Sequence, residues 1–198
     1  SKANYETALR SVTYTNTSDN PDTTDRVLGF HAAGPGGWTY KTITIASIND
    51  DPTNVGTLPT DQVFPQDSQG KLDLSGIDLG DVDAGSGNLT LTITSDNGHL
   101  QTLGWAGLTL GGSQTQLILT GKLADLNDFL DDTDSIDYEH ATPGANGNNM
   151  DKITVQISDN GNTGSGGGGT ILLGSVNIDI TPASNLAPTA VNDTATVY

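Results

Sequence analysis

Asn88-Leu89-Thr90-Leu91-Thr92-Ile93-Thr94 decides the fold class. In an extended chain Leu89, Leu91 and Ile93 fall on one side and Thr90, Thr92 and Thr94 on the other, the two-residue period of a strand with one dry face. The same alternation returns in Lys152-Ile153-Thr154-Val155-Gln156-Ile157 and in Ser175-Val176-Asn177-Ile178-Asp179-Ile180. Shorter versions stand at Lys41-Thr42-Ile43-Thr44-Ile45 and Ser11-Val12-Thr13-Tyr14, each predicting a further strand. Only Gly121 to Asp131 departs from the pattern. There Leu123, Leu126, Phe129 and Leu130 recur at helical spacing and predict one short helix crossing between sheets.

Composition agrees. Of the 24 acidic residues only Glu6 and Glu139 are glutamate; the other 22 are aspartate, which favours turns and caps over helix interiors. With 25 glycines and 8 prolines, the 198 residues describe an all-β chain with long Asp- and Gly-rich loops. The formal net charge of −17 repels phosphate, which argues against nucleic acid and against an anionic membrane surface as partners. No apolar run approaches the roughly 20 residues needed to cross a bilayer, so membrane insertion is not expected. The absence of cysteine removes disulfides, zinc-thiolate sites and thiol nucleophiles.

The chain also repeats itself. Leu9-Arg10-Ser11-Val12-Thr13-Tyr14 matches Thr133-Asp134-Ser135-Ile136-Asp137-Tyr138, and Asp25-Arg26-Val27-Leu28-Gly29-Phe30 matches Asp151-Lys152-Ile153-Thr154-Val155-Gln156. Asn49-Asp50-Asp51-Pro52-Thr53 matches Asn185-Leu186-Ala187-Pro188-Thr189. The order is kept while insertions accumulate in the loops, as in a tandem array. The simplest parsing is the C-terminal half of a preceding repeat (1–50), a complete repeat (51–184) and the first strand of a following one (185–198).

Four stretches then carry a family resemblance: Tyr14 to Pro21, the linker Ile48-Asn49-Asp50-Asp51-Pro52, the loop Asp81 to Asn88, and Ile157 to Gly164. Together they resemble the cadherin-like repeats of giant bacterial adhesins, the calcium-loaded, type-I-secreted Gram-negative surface proteins of the repeats-in-toxin group. The resemblance implies a cadherin/Ig-like Greek-key β-sandwich, calcium at loops and junctions, an extracellular cell-surface location and a role in adhesion. Neighbouring repeats of the same chain, and a peptide or glycan on a host or cell surface, would be the partners.

The residues suit calcium, which takes about six to eight oxygens from carboxylates, amides and carbonyls on flexible loops. Asp81 and Asp83 sit two apart, so an extended loop turns both carboxylates to one side; Gly85 and Gly87 let the backbone curl toward a carbonyl near Asn88. Asp159 leads a second loop with Gly161, and Asn49, Asp50 and Asp51 bring oxygens from the linker. By resemblance these three segments meet at a junction between repeats with a calcium ion among them. Each segment alone is also ordinary turn chemistry.

Departures accompany the matches. The first half-repeat has Ala32-Ala33-Gly34 where the second has Ser158-Asp159-Asn160-Gly161, and Asn185-Leu186-Ala187-Pro188 lacks the two linker aspartates. A specialised role is therefore open. Trp38, in Gly34-Pro35-Gly36-Gly37-Trp38-Thr39-Tyr40, reads either as a plug for the end of an incomplete sandwich or as a ligand-binding aromatic. Asp131, Asp132, Asp134 and Asp137 read either as a solvated face or as a second calcium or ligand site. Trp105 is expected in the core.

Catalytic signatures are lacking. There is no Gly-x-Ser-x-Gly, no phosphate-binding Gly-x-x-x-x-Gly-Lys and no His-Glu-x-x-His, and His31, His99 and His140 are isolated. Gly164-Ser165-Gly166-Gly167-Gly168-Gly169 lacks a lysine and a following helix, so it reads as a flexible loop. With the resemblance, a calcium-binding adhesive module is expected rather than an enzyme.

Overall fold

The computed structural model describes residues 2–32 and 34–183, and its described part is mostly β. The expected strand of a following repeat, with its linker Asn185 to Pro188, lies outside those residues. After α1 (Lys2–Arg10) come β1 (Arg26–Phe30) and β2 (Thr39–Ile43), paired with each other as a two-stranded antiparallel sheet. Next are β3 (Thr53–Asn54), β4 (Asp61–Pro65), β5 (Gly70–Lys71), β6 (Leu79–Gly80), β7 (Leu89–Ser95) and β8 (Gly98–Gln101). The chain continues through β9 (Thr109–Ser113), β10 (Gln116–Gly121), α2 (Leu123–Asp131), β11 (Asp137–His140), β12 (Gly147–Ser158) and β13 (Ile171–Thr181).

One sheet dominates, with strand order β4-β13-β12-β7-β10-β9. All its pairs are antiparallel except β4 with β13, which is parallel. The alternation read in the sequence sets its dry face. Leu89, Leu91 and Ile93 of β7 are fully buried, as are Ile153, Val155 and Ile157 of β12, and the register places Val155 opposite Ile93 and Ile157 opposite Leu91. Val176, Ile178 and Ile180 extend that face across β13 and Leu119 across β10. Packed against it are Leu100 and Tyr138 of the smaller β5-β11-β8 sheet, Leu72, Leu74 and Ile77, and Leu126, Phe129 and Leu130 of α2. Each such side chain contributes roughly 1.5–3 kcal/mol by leaving water.

The helix forms where its apolar stripe predicts. Asn127 fastens it to β6: its amide donates to Leu79 O (3.0 Å) and accepts from Leu79 N–H (2.9 Å). Trp105 meets Phe129 edge-on at 5.8 Å and is half-buried at the margin of the core.

Two expectations need correction. Ser11 to Tyr14 is not a strand; it follows α1, a second helix that the sequence pattern did not predict. Lys2, Ala3, Glu6, Ala8, Leu9 and Arg10 are good helix formers, and Lys2 faces Glu6 across one turn at 3.7 Å. The likeness of residues 9–14 to 133–138 concealed this local preference.

One buried charge is fully met. Asp151 Oδ1 accepts from Asn97 N–H and Lys152 N–H (both 2.7 Å), while Oδ2 accepts from Tyr138 OH (2.9 Å) and Ser95 Oγ. Burial, and then the facing Asp151 charge, push the Tyr138 hydroxyl above its ordinary pKa, so it stays a donor. Replacing Asp151 with alanine strands these donors. Asp151→Ala is expected to lower stability by about 3 kcal/mol and Tyr138→Phe by about 1 kcal/mol in urea unfolding.

Candidate metal centre

Residues 1–45 carry four acids and four bases, so the whole net charge of −17 falls on the rest of the chain. Its most buried portion outside the core lies where the linker meets two loops of the body. Asp83 and Asp159 are fully buried and Asn49 nearly so. The Asp81–Asn88 loop turns by local hydrogen bonding: Asp81 Oδ1 accepts from Asp83 N–H (3.1 Å) and Ala84 N–H (2.8 Å), and Gly85 adopts φ 54°. Asp159 shapes its own loop in the same way, accepting from Gly161 N–H at 3.0 Å.

The linker joins the two loops. Asn49 Nδ2 donates to Asp159 Oδ2 and to Asp50 O (3.1 Å), and Asp50 N–H donates to Asp83 Oδ2 (3.2 Å). Thr163 Oγ1 donates to the Asp83 carbonyl. Asn49, Asp50, Asp81, Asp83 and Asp159 are thus brought to one place from three separate stretches of sequence. Asp51 stays exposed, but with Asp19, Asp50 and Asp81 it lines an adjoining cleft of about 480 Å³. Asn88 plays a different part: its carbonyl accepts from the Asn160 and Asn162 side-chain amides (2.8 and 2.7 Å), which ties the two loops together.

Three oxygens here have no hydrogen-bond partner: Asn49 Oδ1, Asp81 Oδ2 and Asp83 Oδ1. All are acceptors, and unpaired acceptors out of water are costly. The ion pairs found among the described residues are Lys2–Glu6, Arg26–Asp22, Lys71–Asp137 and Lys152–Asp96; none reaches this cluster. A donor set of carboxylate, amide and carbonyl oxygens suits a hard divalent cation such as calcium. Among the described residues, however, no group of three or more Asp, Glu or His side chains is arranged to hold a metal ion. The contacts show part of the cause: Asp159 Oδ2 and Asp83 Oδ2 are both engaged by linker N–H groups, so amide and carbonyl oxygens would have to complete any coordination sphere.

No protein-family model matches the chain, and neither a curated protein nor a solved structure matches it.

The remaining predicted residues lie apart from the junction. Asp131 is exposed at the end of α2. Asp132 Oδ1 accepts from Asp134 N–H (2.8 Å), and Lys71 Nζ reaches both Asp134 O (3.0 Å) and Asp137 Oδ1 (2.8 Å). A lysine therefore already occupies the middle of this acidic run, beside a cleft of about 200 Å³ that Leu103 and Trp105 help to line. Trp38 is 61% exposed, its ring 5.1 Å from His31 and 6.4 Å from Tyr40. Behind this row, Tyr5 and Leu9 of α1 and Phe30 of β1 help to line a cleft of about 580 Å³.

Sequence reasoning missed Asp19 and Thr163. Asp19 belongs to the Tyr14–Pro21 stretch that carried part of the resemblance, and Asn20 Nδ2 there donates to Val82 O at 3.3 Å. That acid was the available signal. Thr163 likewise lies in the Ile157–Gly164 stretch, but its hydroxyl was not singled out there.

Burial, and then the facing Asp83 side chain, hold the Asp81 carboxyl above its ordinary value of 3.8. The folded chain thus binds this proton more tightly than the unfolded chain does. Asp81's contribution is most favourable at and below pH 3.8 and declines as pH rises through the folded pKa. In chelator, Asp81→Asn is expected to flatten the fall in Tm from about pH 4 upward, measured by calorimetry across a pH series.

Proposed function

We propose that this chain is a calcium-binding β-sandwich module of a large secreted bacterial adhesin, serving cell-surface adhesion and biofilm attachment as a calcium-rigidified repeat. The fold entailed is a cadherin/Ig-like Greek-key sandwich, with the six-stranded sheet on one side of the core and the β5-β11-β8 sheet with α2 on the other. Residues 1–50 would be the C-terminal half of a preceding repeat and 51–184 the complete one. Its place would be outside the cell, at the surface. Among the described residues no helix is long and apolar enough to cross a membrane.

The observation that carries this proposal is the junction, where the linker and two body loops converge with three unpartnered buried oxygens and, among the described residues, no ion pair reaching them. Bound calcium would supply two positive charges and a demand for oxygen ligands. Asn49, Asp81, Asp83 and Asp159 are the residues that would hold it, with Asp50 and Asp51 contributing from the linker and Asp19 from the neighbouring cleft. Linker and loops can share an ion only in one relative arrangement, so joint ligation stiffens the connection between repeats. Stability then follows free calcium by mass action.

Trp38 favours a second function, the calcium-dependent ligand-binding module of such an adhesin. An exposed aromatic beside His31 and Tyr40 gives a peptide or sugar an apolar surface to lie on.

Chelation is expected to remove about 4 kcal/mol at a thousandfold excess of calcium over Kd, which lowers Tm by about ten degrees. Identical melting curves with calcium and with chelator would refute the calcium assignment. Asp81→Ala combined with Asp83→Ala is expected to abolish the junction ion in titration calorimetry and leave the core folded, whereas Asp131→Ala does little. A glycan and peptide screen, with calcium and then with chelator, separates the two functions. A calcium-dependent hit lost in Trp38→Ala establishes the binding module; no hit at millimolar ligand leaves the structural repeat.

A further inference from the structure

The run Gly164 to Gly169, read from sequence as a flexible loop, is engaged at its start. Ile48 and Ser165 form a parallel β-bridge in which Asn49 N–H donates to Ser165 O (3.2 Å) and Ser165 N–H donates to Ser47 O (3.1 Å). Ser47 Oγ adds a bond to Thr163 O at 2.7 Å. The Asn49 side chain then runs in between Asp159 and Gly167. The fit leaves no room for a side chain at the two glycines that face Asn49. A Cβ on Gly164 would overlap the Asn49 backbone nitrogen, and one on Gly167 would overlap Asn49 Nδ2. Gly167 also holds φ 68°, which side chains rarely tolerate.

We infer that the glycine-rich loop is a clamp for the linker: it grips residues 47–49 through main-chain bonds and the buried Asn49, and so fixes how the β1–β2 segment is carried on the body without help from a cation. The clamp does not depend on the calcium assignment, because every contact in it is a hydrogen bond or a steric fit. It accounts for a glycine run that has neither the lysine of a phosphate loop nor a helix behind it. Wherever one of these glycines faces Asn49, any larger residue would expel the linker. Holding the linker ordered in advance also spares any junction ligand that entropy cost.

The chain has no cysteine, so Thr42→Cys and Thr109→Cys, both at exposed positions, accept spin labels cleanly. Pulsed electron paramagnetic resonance in chelator is expected to give a narrow distance distribution. Gly164→Ala and Gly167→Ala should each broaden it toward the spread of about 15 Å expected for a free linker over residues 44–52. Gly169→Ala, whose Cβ would meet nothing within 4 Å, should leave it narrow. Asn49→Ala frees the linker with the loop sequence intact and should broaden it as well, even if the glycine variants fold poorly. A broad distribution in the otherwise unsubstituted chain overturns the clamp. So does a narrow one in Asn49→Ala and both glycine variants. Calcium counted separately by calorimetry decides the metal assignment without bearing on this result.

Discussion

A carboxylate taken out of water must find donors or a cation, and the described residues bury three aspartates: Asp83, Asp151 and Asp159. Two of them bracket β12. Asp151, near its start, is surrounded by N–H and O–H donors and ties β7, the β7–β8 turn, β11 and β12 together. Asp159, just past its end, faces the linker together with Asp83, and the oxygens beside them are left without donors. The same side chain therefore serves as a structural pin at one end of a strand and as part of a charged junction at the other. The neighbours decide which: Tyr138, Ser95 and Asn97 against Asn49, Asp81 and Asp83.

The large sheet was legible because its strands are long and one face of each is dry. Leu89 to Thr94 and Ile153 to Ile157 bury the residues their alternation assigns to the core. Strands such as β3, β5 and β6 span two residues each and carry no readable period. Their pairing is decided by what the rest of the chain places beside them. The helix α1 escaped notice because it buries nothing, so its only signal is helix propensity, which internal repetition outweighed.

The junction was half legible. Asp81, Asp83, Asp159 and the linker were identifiable because Asp-x-Asp and Asp-Asn-Gly announce tight loops, and the loops do converge. The detailed arrangement was not. Whether a given oxygen faces a donor depends on distant backbone, as when Asn160 and Asn162 reach the Asn88 carbonyl across more than seventy residues of sequence. Likewise, glycine composition alone suggested mobility in residues 164–169, although a glycine is equally required wherever another backbone must come close.

The parallel pairing of β4 with β13 has a mechanical consequence. Asp61 lies beside Asn177 and Pro65 beside Thr181, so the two strands run the same way from the linker side toward Thr181. Once the linker contacts and the β3–β6 pair give way, tension entering through the linker pulls β4 from its beginning, while tension leaving past Thr181 pulls β13 from its end. The strands are then drawn lengthwise past each other, and the hydrogen bonds between them share the load together instead of parting one by one from an end. Bonds from Gln66 N–H to Thr181 O (2.8 Å) and from Asn177 N–H to Thr60 O (2.9 Å) lengthen that seam at both limits. Along this direction of pull the body resists as a lap joint, whereas the β1–β2 ribbon, joined at its Phe30–Thr39 end, would peel open like a zipper.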